Sequence, residues 1–195
     1  MSIRILGGLA KGLELGVPRG DRIRPTSVML RRKVFDSYQA DLPELFIDGF
    51  AGTGAVGLEA LSRGVEEAIF IEKDPKVYSH LQKNCEKLKS KIETNYQNIK
   101  MPFEKYIHKF KDIYLAKEEY IQKNTVIFFD PPYASHQKFT KLLDELFFNG
   151  DWFKGSLWIE SDDKKGLSLS FWKEKNLSPS KVFEHGDNFI CIFNF

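Results

Sequence analysis

Phe46–Ala60 reads FIDGFAGTGAVGLEA and contains a literal G-x-G-x-x-G at Gly52–Gly57. Alone, this pattern says little. It becomes a nucleotide-binding loop when it follows a strand, opens a helix and has an acid about 20 residues further on. Leu45–Asp48 is an apolar run ending in an acid, Ala55–Arg63 has helical spacing, and AIFIEKD brings Glu72 to the end of the next apolar run. All three conditions are met, and the remaining question is which nucleotide the loop accepts.

Working outward, strands are expected at 45–48, 68–72, 105–110, 125–129 and 156–160, with helices at 54–63, 75–91, 113–122 and 136–148. This alternation, with uninterrupted apolar strands such as VIFF, predicts a parallel sheet covered on both faces. KVFEHGDNFICIFNF carries a Gly186–Asp187–Asn188 turn between two strand-like runs, so an antiparallel hairpin closes the sheet. The first 18 residues read as two short strands joined through Gly7–Gly8 and Lys11–Gly12, and RPTSVMLRRKVFDSYQ then starts a helix. Residues 1–44 are therefore expected to form a basic appendage of hairpin and helix, and 45–195 the main domain. The Lys-rich stretch 83–111 is long for one strand–helix–strand connection and is read as carrying an insertion.

The chain has 195 residues, 42% of them hydrophobic, enough for one compact core. Its two cysteines, Cys85 and Cys191, form neither a disulfide framework nor a zinc site, which favours a reducing cytoplasm. No run approaches the ~18 apolar residues of a membrane span, and the N-terminus lacks a signal-peptide core. The net charge of +2 is unevenly spread: residues 1–40 hold eight Lys/Arg against three acids. That segment is either a phosphate-facing arm or simply a solvated surface. In the first reading, Arg4, Lys11, Arg24 and Arg31 are the cations that meet phosphates, with Arg24 alternatively folding over the nucleotide of the glycine loop.

VIFFDPPY places Asp130, Pro131, Pro132 and Tyr133 directly after a buried strand. Two prolines cannot serve a sheet ladder, but they make a stiff corner with fixed carbonyl directions. Asp48, Glu72 and Asp130 each end a strand and should share one rim. The corner suits methyl transfer to an exocyclic base nitrogen, a poor nucleophile that gains positive charge as it attacks. Asp130 and the Pro131 carbonyl can accept its two N–H bonds and stabilise that charge, while Tyr133 stacks on an extruded base. Asp-Pro-Pro is also an ordinary turn, and Tyr133 also a core candidate. Asp48, four residues before Gly52, sits badly beside a pyrophosphate and well beside the ammonium of a methionine moiety. The loop is therefore assigned to S-adenosylmethionine rather than NAD.

RILGGLAKGLELGVP, RIRPTSVMLRRKVF, DGFAGTGAVGLEALSRG, IEKD, KN at 83–84, FFDPPY, WIES and the terminal HGDN together resemble the RsmD-type 16S rRNA guanine-N2 methyltransferases. The resemblance implies a class I S-adenosylmethionine-dependent methyltransferase (Rossmann-like) fold. Its α/β sheet would be seven-stranded and mostly parallel, with the antiparallel C-terminal hairpin. It implies cofactor contacts from Asp48, Phe50, Ala51, Gly52, Gly54, Glu72 and Lys73, with Glu72 on the ribose hydroxyls. Asp112 and Ile113 fall near the adenine, with a helix N-cap as the alternative role for Asp112. Asp130 to Tyr133 would hold the guanine. The implied partner is 16S rRNA in a small-subunit assembly particle, for a monomer needing neither metal nor membrane. The family has R-V-R-E after R-P-T; here Met29, Leu30, Arg31 and Arg32 stand instead, so an acid has become Arg32. A DNA adenine-N6 methyltransferase is the rival enzyme, disfavoured because no segment is large enough for a target-recognition domain. An RNA-binding module with an idle cofactor site is the non-enzymatic alternative, and an NAD enzyme a weaker third.

Overall fold

The computed structural model describes residues 3–18, 27–132 and 136–195, with 136–138 described by backbone alone. Parallel strands β3 (Leu45–Asp48), β4 (Glu67–Ile71), β5 (Asn95–Ile99), β6 (Thr125–Phe129) and β7 (Ser156–Asp162) make up most of one sheet. The antiparallel hairpin β8 (Lys181–His185) and β9 (Asn188–Asn194) completes seven strands in the order β5-β4-β3-β6-β7-β9-β8. The chain runs outward from β3 in both directions, so the order reverses between β3 and β6. A crevice outside the carboxyl ends of the strands is expected there.

Side chains alternate across each strand, and both faces are apolar. Leu45, Ile47, Ile127 and Phe129 join one cluster with α4 (Phe103–Leu115), α6 (His136–Leu143) and α7 (Leu169–Glu174). Phe46, Val126, Phe128 and Trp158 face the other way, onto α1 (Val28–Ser37) and α2 (Ala55–Arg63). α3 (Pro75–Lys89) lies on this second side; Asp74 caps it, accepting from the Lys76 and Val77 N–H groups, and Pro75 takes the first helical position. The short α5 (Glu119–Lys123) leads into β6.

The small N-terminal hairpin packs its apolar side chains against the second side of the sheet. β1 (Ile3–Arg4) pairs antiparallel with β2 (Glu14–Leu15). Ile3, Ile5, Ala10 and Leu15 are buried against Ala55, Leu58, Leu81 and Cys85. Leu30, Val34 and Phe35 of α1 bury against the sheet.

Several expectations need correction, among them the helix at 113–122, which is instead the end of α4, a break and α5. The strand at 105–110 is instead part of α4, whose Phe103, Tyr106, Ile107, Phe110 and Tyr114 form one buried helical stripe. The strand of this unit is β5, NYQNI, an edge strand with no apolar run. The stretch 83–111 holds the end of α3, β5 and most of α4, so no insertion is needed to account for its length. Arg31 does not face outward: it is 1% exposed, donating to the Arg4 carbonyl at 2.7 Å and the Ala55 carbonyl at 3.3 Å. α7 is an addition that the sequence reading did not foresee.

Candidate active site

A cavity of about 410 Å³ opens at the crevice between β3 and β6, a size suited to a cofactor-scale ligand. The ends of β3, β4 and β6 bring Asp48, Glu72 and Asp130 to its wall together. Pro131 and Pro132 continue the wall after β6, and Glu160 adds a fourth carboxylate from β7. Phe50, Ala51 and Gly52 line it from the glycine loop, Lys73 from beyond β4. Tyr133 and Arg24 lie outside the described residues.

The acids have distinct environments. Asp48 is 1% exposed, on the α2 side of the sheet, where the Gly57 N–H donates to Oδ2 at 3.0 Å. Burial pushes its carboxyl up to about 7; the Gly57 hydrogen bond opposes this, and the charges of Asp130 and Glu72 add to it. Glu72 is half-buried, and burial also raises it, against hydrogen bonds from Asp74, Gly52 and Lys73. Its Oε2 accepts from the Gly52 N–H at 3.0 Å and its Oε1 from the Asp74 N–H at 2.7 Å. These bonds tie the glycine loop to the end of β4. Each ionised oxygen keeps capacity for another donor.

Gly52 and Gly54 have φ of 53° and 88°, a region side chains rarely adopt. A Cβ on Gly54 would come within 2.7 Å of the Leu81 side chain, whereas one on Gly52 would meet nothing within 4 Å. Gly54 therefore serves the packing of α2, and Gly52 leaves open the space beside the cavity.

Sequence reasoning missed several contributors. Met101, Phe103 and Glu104 line the cavity after β5. Their signal was the helical spacing that starts at Phe103. Asp112 and Ile113 are the corresponding correction: both are exposed on the far side of α4 (Ile113 52%), neither reaches the cavity, and Asp112 lies within α4 rather than at its N-cap. Asn84, quoted as part of KN, holds the site from behind. Its Oδ1 accepts from the Gly16 N–H at 2.7 Å, and its Nδ2 donates to the Gly16 and Thr53 carbonyls at 2.9 Å each. It joins the hairpin to the glycine loop. Asn84→Ala is expected to cost about 1–3 kcal/mol of stability, because the buried Thr53 carbonyl and the Gly16 backbone lose their bonds; denaturant unfolding measures this.

Glu59 was also given no role. It is fully buried in α2, accepting from the Leu6 N–H at 2.7 Å and Arg63 Nε at 2.7 Å, with Arg31 Nε at 3.7 Å. Burial lowers the pKa of Arg31, while Glu59 and Glu160 push it back up. Arg4 is exposed and paired with Glu14 at 2.5 Å; Lys11 is exposed. Among the described residues no group of three or more His, Cys, Asp or Glu is placed to hold a metal, and no helix is long and apolar enough to cross a membrane.

Known proteins share the sequence pattern and the fold of this chain. Residues 3–181 match the family described as "Conserved hypothetical protein 95". Ribosomal RNA small subunit methyltransferase D of Escherichia coli K12 is 31% identical over 168 residues, covering 85% of this chain and 77% of that protein. A solved structure from Thermus thermophilus, of a hypothetical protein, superposes with a TM-score of 0.72 at 29% identity over 99% of both chains. An RNA methyltransferase from Salinibacter ruber, solved with S-adenosyl-L-homocysteine, shares the fold at a TM-score of 0.53 and 15% identity, over 88% of this chain and 93% of that one.

Proposed function

We propose, from the premise that the chain belongs to the ribosomal RNA small subunit methyltransferase D family, that it methylates the exocyclic N2 of a guanine in small-subunit rRNA. The observation that carries this reading is the meeting of Asp48, Glu72 and Asp130-Pro131-Pro132 around one cavity at the sheet's reversal point. S-adenosylmethionine fits the residues present. A carboxylate pair, Asp48 and Glu72, suits an ammonium and a ribose diol, and the open space at Gly52 leaves room beside them. Bound there, it would supply an electrophilic methyl group.

The chain's own residues then have separable tasks. Asp48 faces the ammonium and Glu72 accepts from the ribose hydroxyls. Phe50, Ala51 and Lys73 shape the same wall, Gly54 sets the turn of the loop into α2, and Met101 and Phe103 border the adenine end. Asp130 and the Pro131 carbonyl accept the N–H groups of the guanine amine and stabilise the charge it gains. Asp130 need not be a strong base, since the amine proton becomes acidic only after methylation. The substrate particle is a small-subunit assembly intermediate, and the enzyme works as a monomer. Incubation with labelled donor and either small-subunit rRNA or duplex DNA tests the reading: label in rRNA guanine supports it, label in DNA adenine refutes it.

Two expectations concern the donor. Glu72→Ala should weaken donor binding by about 1–3 kcal/mol, the range for losing charged hydrogen bonds. Calorimetry showing unchanged affinity would remove Glu72 from the site. Asp48 makes the binding pH-dependent. Its pKa is raised from 3.8 to about 7 on folding, so its contribution to stability is full below pH ~4 and is lost as pH rises through about 7. A neighbouring ammonium favours the ionised form, and an α-amino group stays charged below about 7.7. Donor affinity should therefore rise roughly fivefold between pH ~6 and ~7 as the ionised fraction of Asp48 grows. Asp48→Asn should flatten that rise, and an unaltered profile would separate Asp48 from the ammonium.

A further inference from the structure

A second concavity, of about 380 Å³, lies at the other end of α2. Gly7, Gly8 and Lys11 of the hairpin turn line one side, and Arg32, Asp36 and Gln39 of the α1 region line another. Arg63, the last residue of α2, closes the base.

The base is rigid. Arg63 donates to Asp36 and to Glu59 at 2.7 Å each, and its guanidinium lies 5.6 Å from the Phe35 ring centre. Burial opposes its charge, but the bonds and charges of Glu59 and Asp36 outweigh that and raise its pKa. Gly7 rests directly on this group: a Cβ there would come within 2.6 Å of the guanidinium carbon. Gly8, the next residue, must be glycine: its φ is 73° and a Cβ there would come within 1.8 Å of the Ser62 carbonyl oxygen.

Lys11 and Arg32 are differently placed. Both are exposed, and neither has an acid within salt-bridge distance among the described residues. The lining carries three cations against the single carboxylate of Asp36, and Gln39 adds an amide donor. The carbonyl end of α2 brings about half a negative charge, too little to cancel that excess. The acid expected at position 32 by family resemblance would have brought the lining to neutrality; Arg32 makes it positive.

We infer that Lys11, Arg32 and Gln39, set on the Arg63–Asp36 base, form a binding site for a phosphodiester group of the substrate RNA, a few nucleotides from the methylated base. The spacing is suitable. Ala55 lines the cofactor cavity and Arg63 lines this concavity, and eight helical steps separate them by about 12 Å. An RNA strand whose guanine enters the first cavity would pass its backbone over the second. Lys11 supplies a point charge and Arg32 a planar fork for two phosphate oxygens. The inference rests on the rRNA reading for the identity of the ligand, while the site itself stands on the charge and shape of the lining.

The test uses the full chain and a short labelled single-stranded RNA, titrated over a series of KCl concentrations. The Lys11→Ala/Arg32→Glu double variant should bind the RNA roughly tenfold more weakly at low salt. Its log K versus log[salt] slope should be shallower by about 0.7, the value for one single-strand phosphate contact. Calorimetric donor affinity should stay within twofold of the parent. Unchanged RNA affinity and slope would overturn the site. Inorganic phosphate added as competitor should displace RNA from the parent more readily than from the variant; phosphate binding without any effect of the variant on RNA would also overturn it, as a free-anion site. A parallel methyl-transfer assay separates the two ideas. Guanine methylation with an unaltered slope refutes this site alone, and an altered slope without guanine methylation refutes the assigned reaction alone.

Discussion

Asp130→Ala should slow the methyl-transfer step by about 10²–10³, the usual size for one preorganised electrostatic contact. Donor affinity should barely change. The reason is the division of labour around the cavity: Asp48 and Glu72 stand at the ends of β3 and β4, and Asp130 at the end of β6. An amine conjugated with a purine ring attacks poorly, and the charge it acquires must be met by acceptors already in place. The Asp-Pro-Pro corner fixes Asp130 and the Pro131 carbonyl relative to β6, since proline leaves φ little freedom. Single-turnover rates at saturating donor measure the step directly. Asp130→Asn tests the charge itself: it keeps an acceptor oxygen, so it should retain more activity than alanine and less than the parent. A fully active Asp130→Ala enzyme would exclude the mechanism.

Glu59→Ala carries the largest expected effect on folding, about 3–5 kcal/mol, the range for breaking a buried ionic group by removing one member. Glu59 has no exposed side chain and serves three elements at once: the Leu6 N–H of the hairpin, Arg63 of α2 and Arg31 of α1. Its loss leaves the part-buried Leu6 N–H and the buried Arg31 guanidinium without their carboxylate. Against a total stability of roughly 5–15 kcal/mol, this is a large fraction. The melting temperature should drop by roughly 6–20 °C at 2–4 °C per kcal/mol. Glu14→Ala is the control. It breaks only the exposed Arg4 pair and should cost less than about 1 kcal/mol. Equal effects from the two substitutions would show that the buried cluster does not fasten the N-terminal segment.

The sheet was legible wherever a strand is buried on both faces, because a run such as Thr125–Phe129 has few other readings. β5 was hidden for the opposite reason. As an edge strand it needs no apolar run, and NYQNI resembles a loop. With β5 overlooked, the six residues 105–110 passed for the missing strand, although 103, 106, 107, 110 and 114 keep a helical period. The adenine role that the family resemblance implied for Asp112 fails separately, because α4 leaves that residue exposed and away from the cavity. The rim acids were legible because each terminates an apolar run. Asn84 and Glu59 were not, since apart from Arg63 their partners lie 28 to 68 residues away. Arg31 shows the limit of counting charges: a cation in a basic segment was assigned outward, and its burial follows from two backbone carbonyls and a carboxylate that only the packed structure brings together.

The most direct measurement is transfer of a labelled methyl group from S-adenosylmethionine to small-subunit rRNA, followed by nuclease digestion and identification of the modified nucleoside. The expected result is label in N2-methylguanosine, abolished or severely reduced in Asp130→Ala and retained in Glu14→Ala. Label in a different base, in duplex DNA adenine, or in no nucleic acid at all would contradict the assignment of this cavity to a guanine amine.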